Sequence, residues 1–204
     1  MARWIRLIAS IGLTLATLAV AEPRAVAGGS AEEFIRTRQT QVTSLLHQAQ
    51  GAQRDKQIAG VLDGMIGYDE LAKRSLAAHW GDLSENQHKE FTEVLRRLVQ
   101  RSYEKNLKNI LEYRVDYLGE EPGSEGMLVH TTAKSAEKPQ DEPVTIDYLL
   151  TQQGGSTWKV VDIVTEGSSL VNNYKNQFHR IIQKDGYETL VKRMKDKLAK
   201  GQTS

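Results

Sequence analysis

The spacing of apolar residues changes twice along this chain, and no all-helical or all-strand fold accommodates both changes. Between Phe34 and Ser102 apolar side chains recur at helical spacing, from Tyr113 to Thr165 they alternate with polar ones, and after Leu170 helical spacing returns. A period of 3.6 buries one stripe of a helix and a period of 2 buries one face of a strand, so neither pattern hides its apolar set in the other conformation. Helices, then strands, then helices is the order of an α+β domain.

The helical signals are local. Ser30 with Glu33 forms a capping-box pattern, and Phe34, Ile35, Arg38, Val42, Leu45, Leu46 and Ala49 follow it, predicting a helix over about 31–49. Ile58, Val61, Leu62, Met65 and Ile66 make a second stripe, and Asp69 is a candidate cap for a third helix carrying Leu71, Leu76 and Trp80. Ser84 with Gln87 opens the longest helix, over about 85–108, with Phe91, Leu95, Leu98 and Ser102 on one face. Then "YRVDY" (113–117), the turn-forming "GEEPGSEG", "MLVHTTA" (127–133), "VTIDYLL" (144–150) and "WKVVDIVT" (158–165) predict four strands in an antiparallel meander. On this alternation Val144, Ile146, Tyr148 and Leu150 share one face, and Trp158, Val160, Asp162 and Val164 form another row. Leu170, Val171, Tyr174, Phe178 and Ile181 line a following helix that Gly186 ends, and Leu190, Val191, Met194 and Leu198 line a last one.

Arg3 and Arg6 precede an apolar run from Leu7 to Val20 that is too short for a comfortable span of about 20 residues, and "AVA" occurs twice after it, so cleavage of a signal peptide is expected after Ala21 or, preferably, after Ala27. Removing 1–27 takes Arg3, Arg6, Arg24 and Glu22 from the 27 basic and 26 acidic residues, leaving 24 against 25 and a net charge of −1. That is not the charge of a nucleic-acid binder. Residues 28–204 suit one domain, and with no cysteine the chain has neither a disulfide framework nor a lipoprotein anchor site.

Catalytic and metal patterns are sparse. His47, His79, His88, His130 and His179 show no paired zinc spacing, and no nucleophile elbow, dinucleotide fingerprint or Walker loop occurs. "QQGGST" and "GEEPGSEG" read as hairpin turns. His130 could act as a base with Asp147 or Asp162 as its orienter, although a solvated strand histidine is the plainer reading. Arg97, Arg101, Lys105 and Lys108 form a basic row, but Glu93 and Glu104 sit four residues before two of them, as on an ordinary solvated face. Lys192, Arg193, Lys195, Lys197 and Lys200 lie opposite the last helix's apolar stripe, where cations also suit the helix dipole. The residues alone thus give an α+β domain whose curved sheet against helices encloses either a filled core or a pocket.

Four blocks carry a resemblance over nearly all of residues 28–204. "YDELAKRSLAAHW" (68–80), "LSENQHKEFTEVLRRLVQRSY" (83–103), "IDYLL" (146–150) and "WKVVDIVTEGSSLVNNYKNQFHRIIQKDGYETLVKRMKDKL" (158–198) resemble, in order and spacing, the blocks of the MlaC family. Its members are periplasmic phospholipid-binding components of the system that maintains outer-membrane lipid asymmetry, also known as toluene-tolerance auxiliary proteins. Val161 departs from the pattern where an aromatic is usual, and Ser168 where an apolar residue is usual.

The resemblance implies a nuclear-transport-factor-2-like cone, a curved four-stranded antiparallel sheet wrapped by helices around an apolar cavity, with no catalytic group, no metal and no cofactor beyond phospholipid cargo. Val160 and Val164 would offer wall to the acyl chains, with Ile146, Tyr148 and Leu150 from the third strand and Leu76, Trp80, Leu95 and Leu98 from the helices. Leu170 and Tyr174 would close the cavity, while Asn172 and Asn173 satisfy polar groups of the helix's first turn. The implied partners of this expected monomer are an outer-membrane lipoprotein with its porin and an inner-membrane ABC transporter with a substrate-binding ring. Three other readings compete: a paralogue carrying hopanoid or other polycyclic lipid, a non-lipid-binding adaptor of such a transporter, and an enzyme using an Asp or His in the same cone.

Overall fold

Serines open three of the helices by accepting the backbone N–H three residues on, which satisfies a donor that the first turn leaves without a partner. The computed structural model describes residues 29–200, apart from the side chains of 107–110. The expected signal peptide lies outside the described residues. Helices α1 (Ala31–Leu46), α2 (Ala52–Met65), α3 (Tyr68–Leu76), a 3-10 turn (Ala77–Asp82) and α4 (Glu85–Glu112) precede the sheet, and α5 (Leu170–Asp185) and α6 (Tyr187–Lys200) follow it. The box at Ser84 is reciprocal, with Gln87 returning a contact to the Ser84 N–H; at Ser30 only the serine half forms. Asp69 does not cap α3, whose N-cap is Gly67, two residues earlier; the carboxylate instead lies in the first turn, where it suits the helix dipole.

Strands β1 (Tyr113–Gly123), β2 (Gly126–Ser135), β3 (Val144–Gln153), β4 (Thr157–Thr165) and β5 (Ser168–Ser169) form one open antiparallel sheet in sequence order. The meander is as expected, with a two-residue fifth strand added. Residues 119–123 stay in β1, so "GEEPGSEG" is mostly strand and only Ser124 and Glu125 turn. Gly126 sits where a Cβ would lie 2.1 Å from the Leu150 carbonyl oxygen, which is why the β2 backbone can approach β3 so closely there.

A bulge decides which side chains of β4 share a face. Leu150 pairs with Val160 but Leu149 pairs with Asp162, so Val161 is an extra residue on β4. Before the bulge Trp158 and Val160 face the same side as Leu150; beyond it Ile163, opposite Tyr148, takes that side. Val164 pairs with Asp147 and faces the opposite way. The expected row of Trp158, Val160, Asp162 and Val164 is therefore broken after Val160, since one inserted residue inverts all later positions of a period-2 pattern.

Two cores result. Ala31 and Ile35 of α1 cover Val129, Leu150, Trp158 and Val160 of the sheet, with Tyr117, Met127, Tyr148 and Ile163 around them. A larger helical core joins Leu62, Leu71, Leu76, Phe91, Leu95, Phe178, Leu190 and Met194 from α2 to α6, and Met65 touches both. No helix among the described residues is long and apolar enough to cross a membrane.

Candidate functional site

The apolar stripes of α4, α5 and α6 meet without filling the space between them. Leu95 and Leu98 of α4, Tyr174, Phe178 and Ile181 of α5, and Leu190 and Met194 of α6 line a cavity of about 370 Å³. Its aromatic wall is fixed from behind, with Tyr174 stacked on Phe178 at 5.2 Å and Phe91 edge-on to Phe178 at 5.6 Å. Ser102, Gln177, Arg101, Lys105, Arg193 and Lys197 complete the lining. Arg193 is held by Asp185 at 2.7 Å. The Nε of Arg101 is buried without a hydrogen-bond partner.

Of the residues expected around acyl chains, Leu95, Leu98 and Tyr174 line this cavity. Tyr148, Leu150 and Val160 belong to the sheet core under α1, and Ile146, two residues from Tyr148, shares its face. Leu76 is buried in the helical core, and Trp80 packs beside it with its ring stacked on His88 at 3.9 Å. Leu170 is half-buried at the first position of α5, and Val164 is on the sheet's other face. The expected set is thus spread over two cores, with Leu170 and Val164 in neither, rather than along one wall.

Two tyrosines join the set that sequence reading left out. Tyr103 of α4 packs against the helical core, and Tyr117 of β1 packs against the sheet core as Tyr148 of β3 does. Burial is the main cause that pushes Tyr148 and Tyr117 up to about 12, and it raises Tyr103 as well, so all three hydroxyls stay neutral at physiological pH. Tyr103 lies four residues after Val99 on the long helix, a spacing that could have identified it. Phe178, Ile181, Leu190 and Met194 were legible as stripes, but a stripe lining a cavity has the same sequence as one filling a core.

The polar groups near β4 and β5 serve structure. Asp162 accepts from Ile163 N at 2.8 Å, Val171 N at 3.0 Å and Ser169 Oγ at 2.6 Å, tying the β4 end to the start of α5. Glu166 and Gly167 both have positive φ, 48° and 73°, as a two-residue hairpin turn requires. Asn172 N donates to Ser169 Oγ and Asn173 Nδ2 to Ser168 Oγ, which gives both asparagines their places in the first turn. His130 pairs with Asp147 at 2.9 Å and with Glu121 at 3.4 Å on the sheet face away from α1, and none of the three lines the helical cavity. No group of three His, Cys, Asp or Glu among the described residues could hold a metal ion.

Comparison with the sequences of curated proteins gives no match. The fold is similar to that of a phospholipid-binding protein from Ralstonia solanacearum, solved in complex with a phospholipid, at TM-score 0.72 and 21% identity over 85% of this chain and 99% of that one. That likeness establishes the α+β architecture as a shared one. Residues 36–196, most of the chain, match the family described as MlaC protein; the chain belongs to the MlaC family.

Proposed function

We propose that this protein is a periplasmic phospholipid carrier, exported through a signal peptide over 1–27, with residues 28–204 as its single lipid-binding domain. The observation that carries this reading is family membership over residues 36–196, together with a fold shared with a protein solved holding a phospholipid. The cavity between α4, α5 and α6 offers the acyl chains an apolar floor. Each buried methylene contributes about 0.8 kcal/mol, so a lipid with roughly thirty of them faces a penalty on the order of 20 kcal/mol if it crosses water bare. A carrier needs apolar walls in place of the bilayer, and no bond chemistry.

A volume of about 370 Å³ lies near the low end of ligand sites, roughly 300–1,000 Å³. Two acyl chains therefore extend beyond the cavity past Leu98 and Tyr174, or force α6 outward. Cargo passes between an outer-membrane lipoprotein–porin complex and an inner-membrane ABC transporter with a substrate-binding ring, in a direction set by those machines rather than by the carrier. The His130–Asp147 pair is the one arrangement that favours an enzymatic reading, and its place on the sheet's other face, away from the cavity, speaks for a structural role. Lipid extraction and mass spectrometry of the purified protein should return phospholipid in near-stoichiometric amount. Polycyclic lipid in its place would redirect the reading to a hopanoid-type carrier, and no lipid at all would leave the adaptor.

A further inference from the structure

The many cations of α4 and α6 are not equivalent once their partners are known. Arg97 pairs with Glu93, Lys192 with Asp196 and Lys195 with Glu90, which neutralises three of them on the outer surfaces of the helices. Arg101 and Lys105 on α4, and Arg193 and Lys197 on α6, all line the cavity, and no acidic side chain does. Each pair is spaced i, i+4, which puts both members on one face of their helix at about 5–6 Å. Among the described residues Arg101, Lys105 and Lys197 have no ion-pair partner, and the Arg101 Nε is buried with no acceptor.

Arg193 already has Asp185 at 2.7 Å, but Arg101, Lys105 and Lys197 beside the same apolar floor repel one another, and an anion among them relieves that repulsion. Ser102 and Gln177 on the same lining add neutral donors. Guanidinium and ammonium groups suit a phosphate diester, with the Arg101 Nε–H supplying a donor that is already desolvated. We infer that Arg101, Lys105, Arg193 and Lys197 form a headgroup site that selects anionic phospholipids, such as phosphatidylglycerol, over zwitterionic ones. A phosphatidylethanolamine head carries its own ammonium, which the rim repels. The inference rests on the carrier reading and adds to it a substrate class at the cavity mouth.

The test is to incubate the purified protein with vesicles holding equal parts of phosphatidylglycerol and phosphatidylethanolamine, separate it by gel filtration, and quantify the lipid that stays on the protein. The unmodified protein is expected to carry phosphatidylglycerol in roughly five- to tenfold excess, the size that a few solvent-screened ion pairs provide. The excess should shrink as salt is added, because the rim is open to solvent. The triple variant Arg101→Gln, Lys105→Gln, Lys197→Gln should still carry lipid, in the proportions of the vesicle. Arg97→Gln with Lys192→Gln, which removes two cations away from the cavity, should keep the excess. Equal uptake of both lipids by the unmodified protein overturns the headgroup site and leaves the carrier standing. An excess that survives the triple variant, or that the control variant also abolishes, overturns it too. Absence of either lipid from the unmodified protein overturns the carrier reading and this inference together.

Discussion

His130 was a candidate base with Asp147 or Asp162 as its orienter, and the structure gives it Asp147, while Asp162 holds residues 163, 169 and 171. His130 Nδ1 lies 2.9 Å from Asp147 Oδ1, and the bond to that carboxylate is the main cause that raises its pKa, with Glu121 adding to it against partial burial. The folded state therefore favours the imidazolium. The stabilisation is fully present below the unfolded value of about 6.5 and is lost as pH rises through the raised folded value. Both side chains are about one-third exposed, so solvent screens the pair and its share of stability is small. An NMR titration should place the His130 midpoint above that of a free histidine, and Asp147→Asn should bring it down. A midpoint unchanged by Asp147→Asn would remove the pair's assigned role.

At the scale of elements, the turn from β4 into α5 is held by one carboxylate and one hydroxyl. Asp162 reaches the backbone of residues 163 and 171 and the Ser169 hydroxyl, and that hydroxyl also caps α5 by accepting from Asn172 N. The Val161 bulge makes this possible, because the inserted residue puts Asp162 opposite Leu149. Ser169→Ala should cost about 0.5–2 kcal/mol as a lost N-cap. Asp162→Ala should cost about 1–3 kcal/mol, since it leaves the Val171 N–H without its acceptor. The double variant should lose less than the sum, because the two side chains share a bond. Urea denaturation of the four proteins measures this, and strict additivity would show that the residues act independently.

Across the whole molecule, a packed core and a lined cavity lie side by side, and added volume tells them apart. Ser102 is exposed and lines the cavity, whereas Val160 is 3% exposed and packs among Ala31, Ile35, Trp158 and Leu150. Val160→Trp should destabilise the fold by about 1–3 kcal/mol, as overpacking does. Ser102→Trp should leave the thermal melt nearly unchanged while displacing bound lipid, because the new ring enters open space between α4 and α6. If instead Val160→Trp is the variant that keeps its melt and sheds lipid, the acyl chains lie under the sheet rather than between the helices.

Helix and strand order, the serine caps at 30 and 84 and the Gly186 stop were all legible in the sequence, because each depends on residues within a few positions of one another. The α+β class followed from them, and the resemblance of four blocks pointed to the family. The face of Val164 was not legible, since one bulged residue inverts a strand without altering its composition. Nor was the choice of Asp147 over Asp162 as the partner of His130, which depends on the register between β2 and β3. The Glu93–Arg97 pair was legible from its i, i+4 spacing, but only the tertiary structure paired Lys195 with Glu90 across helices and brought Arg101, Lys105, Arg193 and Lys197 to one cavity, because contacts between helices are set by packing and not by spacing along the chain.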